Sequence, residues 1–165
     1  MRRTLILSAV CLGLTGPSLS NGALLEREAA ARSADDAYYF SAAKAYGNHA
    51  ADHVHLLRQF VANRRAPADR AAQHLAGVRS NGQSTLWAYA QLSQPAKDDP
   101  ERAERLSEIQ QQYADVFAIC DRLEAAFAQG TEGNPVVGRT LDELQSSLSQ
   151  ARANQQELAL ASGSW

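Results

Sequence analysis

The chain has 165 residues, with 16 Lys and Arg against 18 Asp and Glu, so its formal charge is −2. This balance leaves no basic surplus for contacts with phosphates, which argues against a nucleic-acid or membrane-surface role. Hydrophobic residues make up 45% of the chain, enough to build the core of one domain.

The N-terminal segment, residues 1–20, has the pattern of a cleaved signal peptide. Arg2 and Arg3 precede a short apolar run, Thr4–Leu14, and Pro17 interrupts the chain before small residues. The apolar run is much shorter than the ~20 residues needed to cross a bilayer, so the sequence predicts no transmembrane span. We expect cleavage after Ser20 and a periplasmic or secreted protein.

Other forms of export fit the N-terminus less well. Cleavage after Ala23 is the alternative for the general route. Cys11 follows Val10, where a lipoprotein signal has a small residue, and the twin arginine stands without the rest of its pattern. Removing Arg2 and Arg3 leaves 14 basic against 18 acidic residues, a formal charge of −4.

The remainder predicts an all-α fold, an antiparallel bundle of about four long helices with coiled-coil-like heptad seams. Helix-forming residues dominate, β-branched residues are scarce, and no stretch alternates apolar and polar residues over the length of a strand. We place a single domain at residues 21–162 and a flexible tail at 163–165. The predicted helices are Leu24–Asn63, Pro67–Leu92, Glu101–Gln129 and Thr140 onward.

Three places in this pattern suggest interruptions. Gly47-Asn48 is a possible break in the first helix, and Ser80-Asn81-Gly82 suggests a kink or split in the second. Gly130–Gly138 has the composition of a loop. Thr140 and Glu143 then form a capping box that predicts the start of the last helix.

Two heptad seams predict the core faces of the last two helices. In the third helix the seam comprises Leu106, Ile109, Tyr113, Val116, Cys120, Leu123 and Phe127. In the fourth it comprises Leu141, Leu144, Leu148, Ala151, Gln155 and Leu158. A buried Gln155 would need a hydrogen-bond partner and can fix the register. An exposed Gln155 would indicate fraying of the last turns, which we favour from the sequence.

The segment GNHAADHVH, residues 47–55, is the main candidate for a metal site. His49 and His53 share a helix face, Asp52 can ligate or support an imidazole, and His55 points away. Zinc or copper needs further ligands. His74 on the next helix is the natural candidate, but a straight hairpin turning near Ala66 leaves it ~7 Å along the axis from His53.

The simpler interpretation is that His53 belongs to the core and binds no metal. It lies on a predicted seam of the first helix, and the other histidines would then face solvent. We favour this interpretation and expect no cofactor. The seam comprises Tyr39, Ala43, Tyr46, Ala50, His53, Leu57 and Phe60.

Aromatic residues provide the candidate interface. Tyr38, Tyr39 and Phe40 are consecutive, so a helix cannot turn all three inward, and exposed aromatics are favoured at protein interfaces. Cys120, the one cysteine left after cleavage, is either a buried thiol or the site of an intermolecular disulfide. Trp165 is expected to lie in the disordered tail.

Recognisable catalytic motifs are absent from the sequence. It contains no nucleophile elbow, phosphate-binding glycine loop or zinc-protease helix, so we predict no enzyme, although a site built from dispersed residues would escape this test. The export signal, helical body and glutamine-rich Glu108–Tyr113 resemble helical periplasmic subunits of secretion and conjugation machines in general terms.

The predicted function is therefore protein–protein contact in the bacterial cell envelope. In this role the protein would be an adaptor, an assembly factor or a minor subunit of a secretion- or conjugation-type machine. The expected partner is an envelope protein or a second copy of the chain. The alternative is a small periplasmic metal-binding bundle that uses the His49/His53 pair.

Overall fold

The computed structural model describes residues 21–63, 68–92, 99–130 and 135–162. The predicted signal peptide at 1–20 and the tail at 163–165 lie outside this described part. Within it the chain forms four α-helices and no strand. The helices are α1 (Asn21–Ala62), α2 (Ala68–Leu92), α3 (Pro100–Ala128) and α4 (Pro135–Ala161).

The chain divides into two units, Met1–Arg32 and Ser33–Trp165. In the first unit the described residues are the opening turns of α1. The second unit contains the rest of α1 and the other helices, packed as an all-α bundle, which confirms the predicted fold class. None of the described helices is long and apolar enough to cross a membrane.

Within the second unit each helix packs antiparallel to its neighbours in sequence, and α4 returns to α1. Side-chain contacts mark each of the four pairs. They are Phe40–Tyr89 between α1 and α2, Arg79–Asp121 between α2 and α3, Arg122–Glu143 between α3 and α4, and Arg152–Asn48 between α4 and α1.

The predicted seams of α3 and α4 are confirmed, because every residue assigned to them is buried. The α4 seam includes Gln155, which is only 5% exposed, so the expected fraying of the last turns is wrong. Ile119, which the sequence predicts to widen the α3 seam, is buried as well. These regular heptads keep one face of each helix toward the core over its length.

The seam of α1 differs from the predicted one. Tyr39, Tyr46 and His53 lie beside the core and are partly exposed. Gly47 occupies one position of the observed seam, and the spacing of apolar side chains does not reveal this position because glycine has no side chain. Among the residues of α1 whose burial is described, the buried ones are Phe40, Ala43, Gly47, Ala50, Val54 and Leu57.

Both helices continue through the glycines that suggested interruptions. Gly47 and Gly82 are buried in the interiors of α1 and α2. The penalty for glycine within a helix is about 1 kcal/mol, which tertiary packing can offset. Here the missing side chains leave room for large groups on neighbouring helices.

The fourth helix starts earlier in the sequence than the predicted start at Thr140. The helix begins at Pro135, a residue whose fixed φ suits the first helical position. Thr140 therefore lies inside the helix, where its hydroxyl donates to the carbonyl of Val136 at 2.9 Å. The capping-box prediction is wrong, because this hydroxyl satisfies a helical carbonyl and does not cap a free N–H.

Candidate functional site

The structure brings together two histidines from different helices. The Nδ1 atoms of His53 and His74 are 3.1 Å apart, and their ring centroids are separated by 5.4 Å. In the neutral pair one imidazole donates its N–H and the other accepts. The two rings therefore join α1 to α2 near the end of the hairpin at which the two helices are connected.

A close approach of the helices explains why this pair forms. His53 lies against Gly77, where an added Cβ would come within 2.5 Å of Nε2. Gly77 is therefore the residue opposite His53, and His74 is one helical turn away, an offset of ~4.5 Å that two imidazoles can bridge. His74 therefore reaches His53, contrary to the prediction from a straight hairpin, because the two side chains span the remaining offset along the axis.

The other candidate ligands do not join this pair. His49 and Asp52 are exposed on α1, and the His55 ring hydrogen-bonds the side chain of Gln59 at 2.8 Å. Over the described ranges no group of three or more His, Cys, Asp and Glu residues is arranged to hold a metal. The near pair is thus His53 and His74, whereas the sequence suggested His49 and His53.

The surroundings of His74 disfavour its protonation. Partial burial lowers the pKa of His74 from 6.5, and the positive charges of protonated His53 and of Arg70 lower it further. The ring also stacks on Phe60, with a centroid distance of 5.3 Å. The neutral imidazole is therefore the form that packs between α1 and α2.

Several polar side chains are buried together in the middle of the bundle. The side-chain amide of Gln155 donates to the hydroxyl of Tyr113 at 2.9 Å. Thr85 of α2 lies beside Tyr113, and its own hydroxyl donates to the carbonyl of Asn81 at 2.9 Å. Burial raises the pKa of Tyr113, so the phenol stays protonated.

Two glycines leave space for the side chains of Tyr113 and Gln155. A Cβ on Gly47 would lie 3.2 Å from Oε1 of Gln155, and one on Gly82 would lie 2.7 Å from Cε1 of Phe117 and 3.1 Å from Cδ1 of Tyr113. Small residues on α1 and α2 therefore face large ones on α3 and α4. We call Gly47, Gly82, Thr85, Tyr113 and Gln155 the polar layer.

A cleft of about 460 Å³ opens beside the polar layer between α1 and α4. The sequence does not predict this cleft, because the residues that line it are widely separated in the chain. The only available indication was Gln155, a polar residue on an otherwise apolar seam. The residues that matter most for its chemistry are Phe40, Lys44, Asn48, Tyr89, Arg152 and Gln155.

Tyr38, Tyr39 and Phe40 differ in burial, because consecutive residues of a helix point in different directions. Phe40 is buried at 4% exposure and packs edge-on against Tyr89, with centroids 6.2 Å apart. Tyr38 is 64% exposed and Tyr39 is intermediate. Tyr39 contacts both Tyr38 and Trp87, at centroid distances of 5.3 and 5.8 Å. We call Tyr38, Tyr39 and Trp87 the aromatic patch.

Cys120 is fully buried in the α3 seam, next to the ion pairs of Arg79 with Asp121 and Glu124. Burial raises the pKa of its thiol to about 11. A protonated, inaccessible thiol reacts slowly with oxidants and disulfides. This position favours the role of a small core residue over that of an intermolecular link.

No protein-family model, curated protein or solved structure matches this chain.

Proposed function

We propose that the protein is an exported, non-enzymatic helical bundle that acts through protein–protein contacts in the bacterial cell envelope. Its role would be that of an adaptor, an assembly factor or a minor subunit of a secretion- or conjugation-type machine. The observation that carries this proposal is the aromatic patch on α1 and α2.

The patch has the chemistry of a contact site. Tyr38 and Trp87 are 64% and 52% exposed, yet Tyr39 holds them in one connected group of rings. Tyrosine and tryptophan contribute large contact areas with few rotatable bonds, and they dominate the energetics of protein interfaces. A partner that covers the rings would remove this apolar area from water without ordering a flexible segment.

Photo-crosslinking in bacterial cells tests the proposal. Benzoylphenylalanine would replace Tyr38 or Trp87, and a matched control would carry it at Leu160, which is 58% exposed on α4. We expect adducts of one defined mass at 38 and 87, with an envelope protein or a second copy of the chain, and none at 160.

Two results would contradict the proposal. The first is the absence of adducts at 38 and 87 together with a monomer at all concentrations in sedimentation. The second is equal crosslinking at 160, which would show that the exposed rings have no special contact role.

A second candidate function is metal binding by the His53–His74 pair. The 3.1 Å separation of the Nδ1 atoms suits two nitrogens of one zinc or copper ion as well as it suits a hydrogen bond. The pair supplies only two ligands, so water would have to complete the coordination, and we rank this function below protein contact.

Calorimetric titration with zinc and with copper separates the two candidates. Sub-micromolar binding that is lost in His53→Ala and His74→Ala, and retained in His49→Ala, would support a metal site. Unchanged binding in the first two variants would exclude this pair as the ligands.

A further inference from the structure

The cleft between α1 and α4 is elongated and has two chemically different ends. On α1 its lining runs from Ala37 to Asn48, and on α4 from Ser149 to Ala159. At 1.5 Å per residue each wall is ~15 Å long. A volume of about 460 Å³ falls within the ~300–1,000 Å³ that is typical of small-molecule sites.

One end of the cleft is polar and carries positive charge. Arg152 is held there because its Nη2 donates to Oδ1 of Asn48 at 2.6 Å, and its stem lies beside Gly47. The Arg152 guanidinium has further N–H groups in a planar fork that matches a carboxylate. Among the described residues the lining includes two cationic residues, Lys44 and Arg152, and no acidic one, although the whole chain has an acidic excess.

The other end is apolar and aromatic. Phe40 and Tyr89 form an edge-on ring pair beneath it, and alanines of α1 and α4 form its walls. Burial, together with Tyr113, raises the pKa of Tyr89, so this ring stays uncharged. The floor therefore offers apolar contact from two uncharged rings.

We propose that this cleft binds an elongated amphipathic anion, an acyl chain that ends in a carboxylate. The carboxylate would pair with Arg152 at the Asn48 end, and the chain would lie along α1 and α4 over Phe40 and Tyr89. The elongated shape favours a linear chain over a compact ring. This binding function is separate from the aromatic patch, which lies between α1 and α2.

Titration of the purified protein with dodecanoate, below its micelle concentration, tests the proposal. We expect saturable binding that weakens about tenfold in Arg152→Met, because a bidentate charge-assisted pair contributes roughly that factor. Arg139→Met is the matched control, since Arg139 is exposed on the same helix and does not line the cleft. Dodecanol, which lacks the charge, should bind more weakly and show no dependence on Arg152.

A second variant tests the position of the acyl chain. Ala37 is exposed and lines the apolar end, so Ala37→Trp should fill that end and abolish binding while circular dichroism shows an intact bundle. The proposal is overturned if dodecanoate does not bind saturably to the wild-type protein. It is also overturned if Arg152→Met and Arg139→Met have equal effects, or if Ala37→Trp binds as well as the wild type.

Discussion

Gln155 of α4 donates a hydrogen bond of 2.9 Å to the hydroxyl of Tyr113 of α3, and both side chains are buried. Thr85 of α2 lies beside this contact and hydrogen-bonds the backbone of its own helix. A polar group at the centre of an apolar core fixes which helix faces meet, since a shift in register would leave it without its partner.

Removing the Tyr113 hydroxyl while keeping the Gln155 amide should destabilise the bundle. Tyr113→Phe leaves the Gln155 amide buried without its acceptor, and we expect a loss of about 2 kcal/mol in the free energy of unfolding. The double variant Tyr113→Phe, Gln155→Leu should lose less than the sum of the single variants. Urea unfolding followed by circular dichroism measures both, and additive losses would show that the two side chains are not coupled.

Substitution by alanine should change stability in opposite directions at Gly82 and Gly138. At Gly82 a Cβ would come within 2.7 Å of Phe117, so Gly82→Ala should destabilise by about 1–2 kcal/mol despite its better helix propensity. At Gly138 a Cβ would have no neighbour within 4 Å, so Gly138→Ala should stabilise by about 0.5–1 kcal/mol. Thermal unfolding of the two variants checks the signs, and a stabilised Gly82→Ala would contradict the packing described.

Arg102 should be the most important cation for stability. Its Nη2 contacts Asp36 of α1 at 2.9 Å and the last carbonyl of α2, at Leu92, at 3.3 Å. Arg102 and Asp36 are only 16% and 21% exposed, so removing the guanidinium leaves a poorly solvated carboxylate. Arg102→Met should therefore cost about 2–3 kcal/mol.

Arg105 provides the control for that substitution. It lies one turn away on α3, and its partners Glu101 and Glu157 are 76% and 65% exposed. Arg105→Met should cost less than about 1 kcal/mol, because exposed ion pairs contribute little. Equal losses in the two variants, measured by urea unfolding, would refute the special role of Arg102.

His74 should make stability depend on pH. Its pKa is lowered in the folded state, so on acidification the unfolded chain takes up the proton first. The contribution of His74 is therefore complete above pH 6.5 and is lost as the pH falls through its folded-state pKa. We expect His74→Gln to flatten the decrease in urea midpoint between pH 7.5 and 5, and the exposed control His49→Gln to leave the slope unchanged. A His74→Gln slope equal to that of the wild type would contradict this assignment.

Cys120 should be protected from thiol reagents in the folded protein. Its side chain is fully buried and its thiol pKa is raised to about 11, so little reactive thiolate exists at neutral pH. At pH 8 the native protein should react with dithionitrobenzoate far more slowly than the protein in guanidinium. Rapid native reaction, or a disulfide-linked dimer on a non-reducing gel, would support the intermolecular link.

The sequence by itself determined the all-α class and the core faces of α3 and α4. This was possible because heptads of large apolar side chains depend only on local spacing, and Leu106 through Phe127 repeat without interruption. The same local reasoning failed on α1, where Gly47 occupies a core position. A glycine there can be understood only from the Gln155 and Tyr113 side chains that it accommodates.

Tertiary structure alone decided which distant residues meet. The spacing of histidines in the sequence paired His49 with His53, whereas the approach of α2 at Gly77 brings His74 to His53. Arg152 and Asn48 are 104 residues apart, and nothing local to either indicates that they share a cleft. Periodicity shows which side of a helix is buried, but only the packed neighbours determine what each buried or bordering side chain contacts.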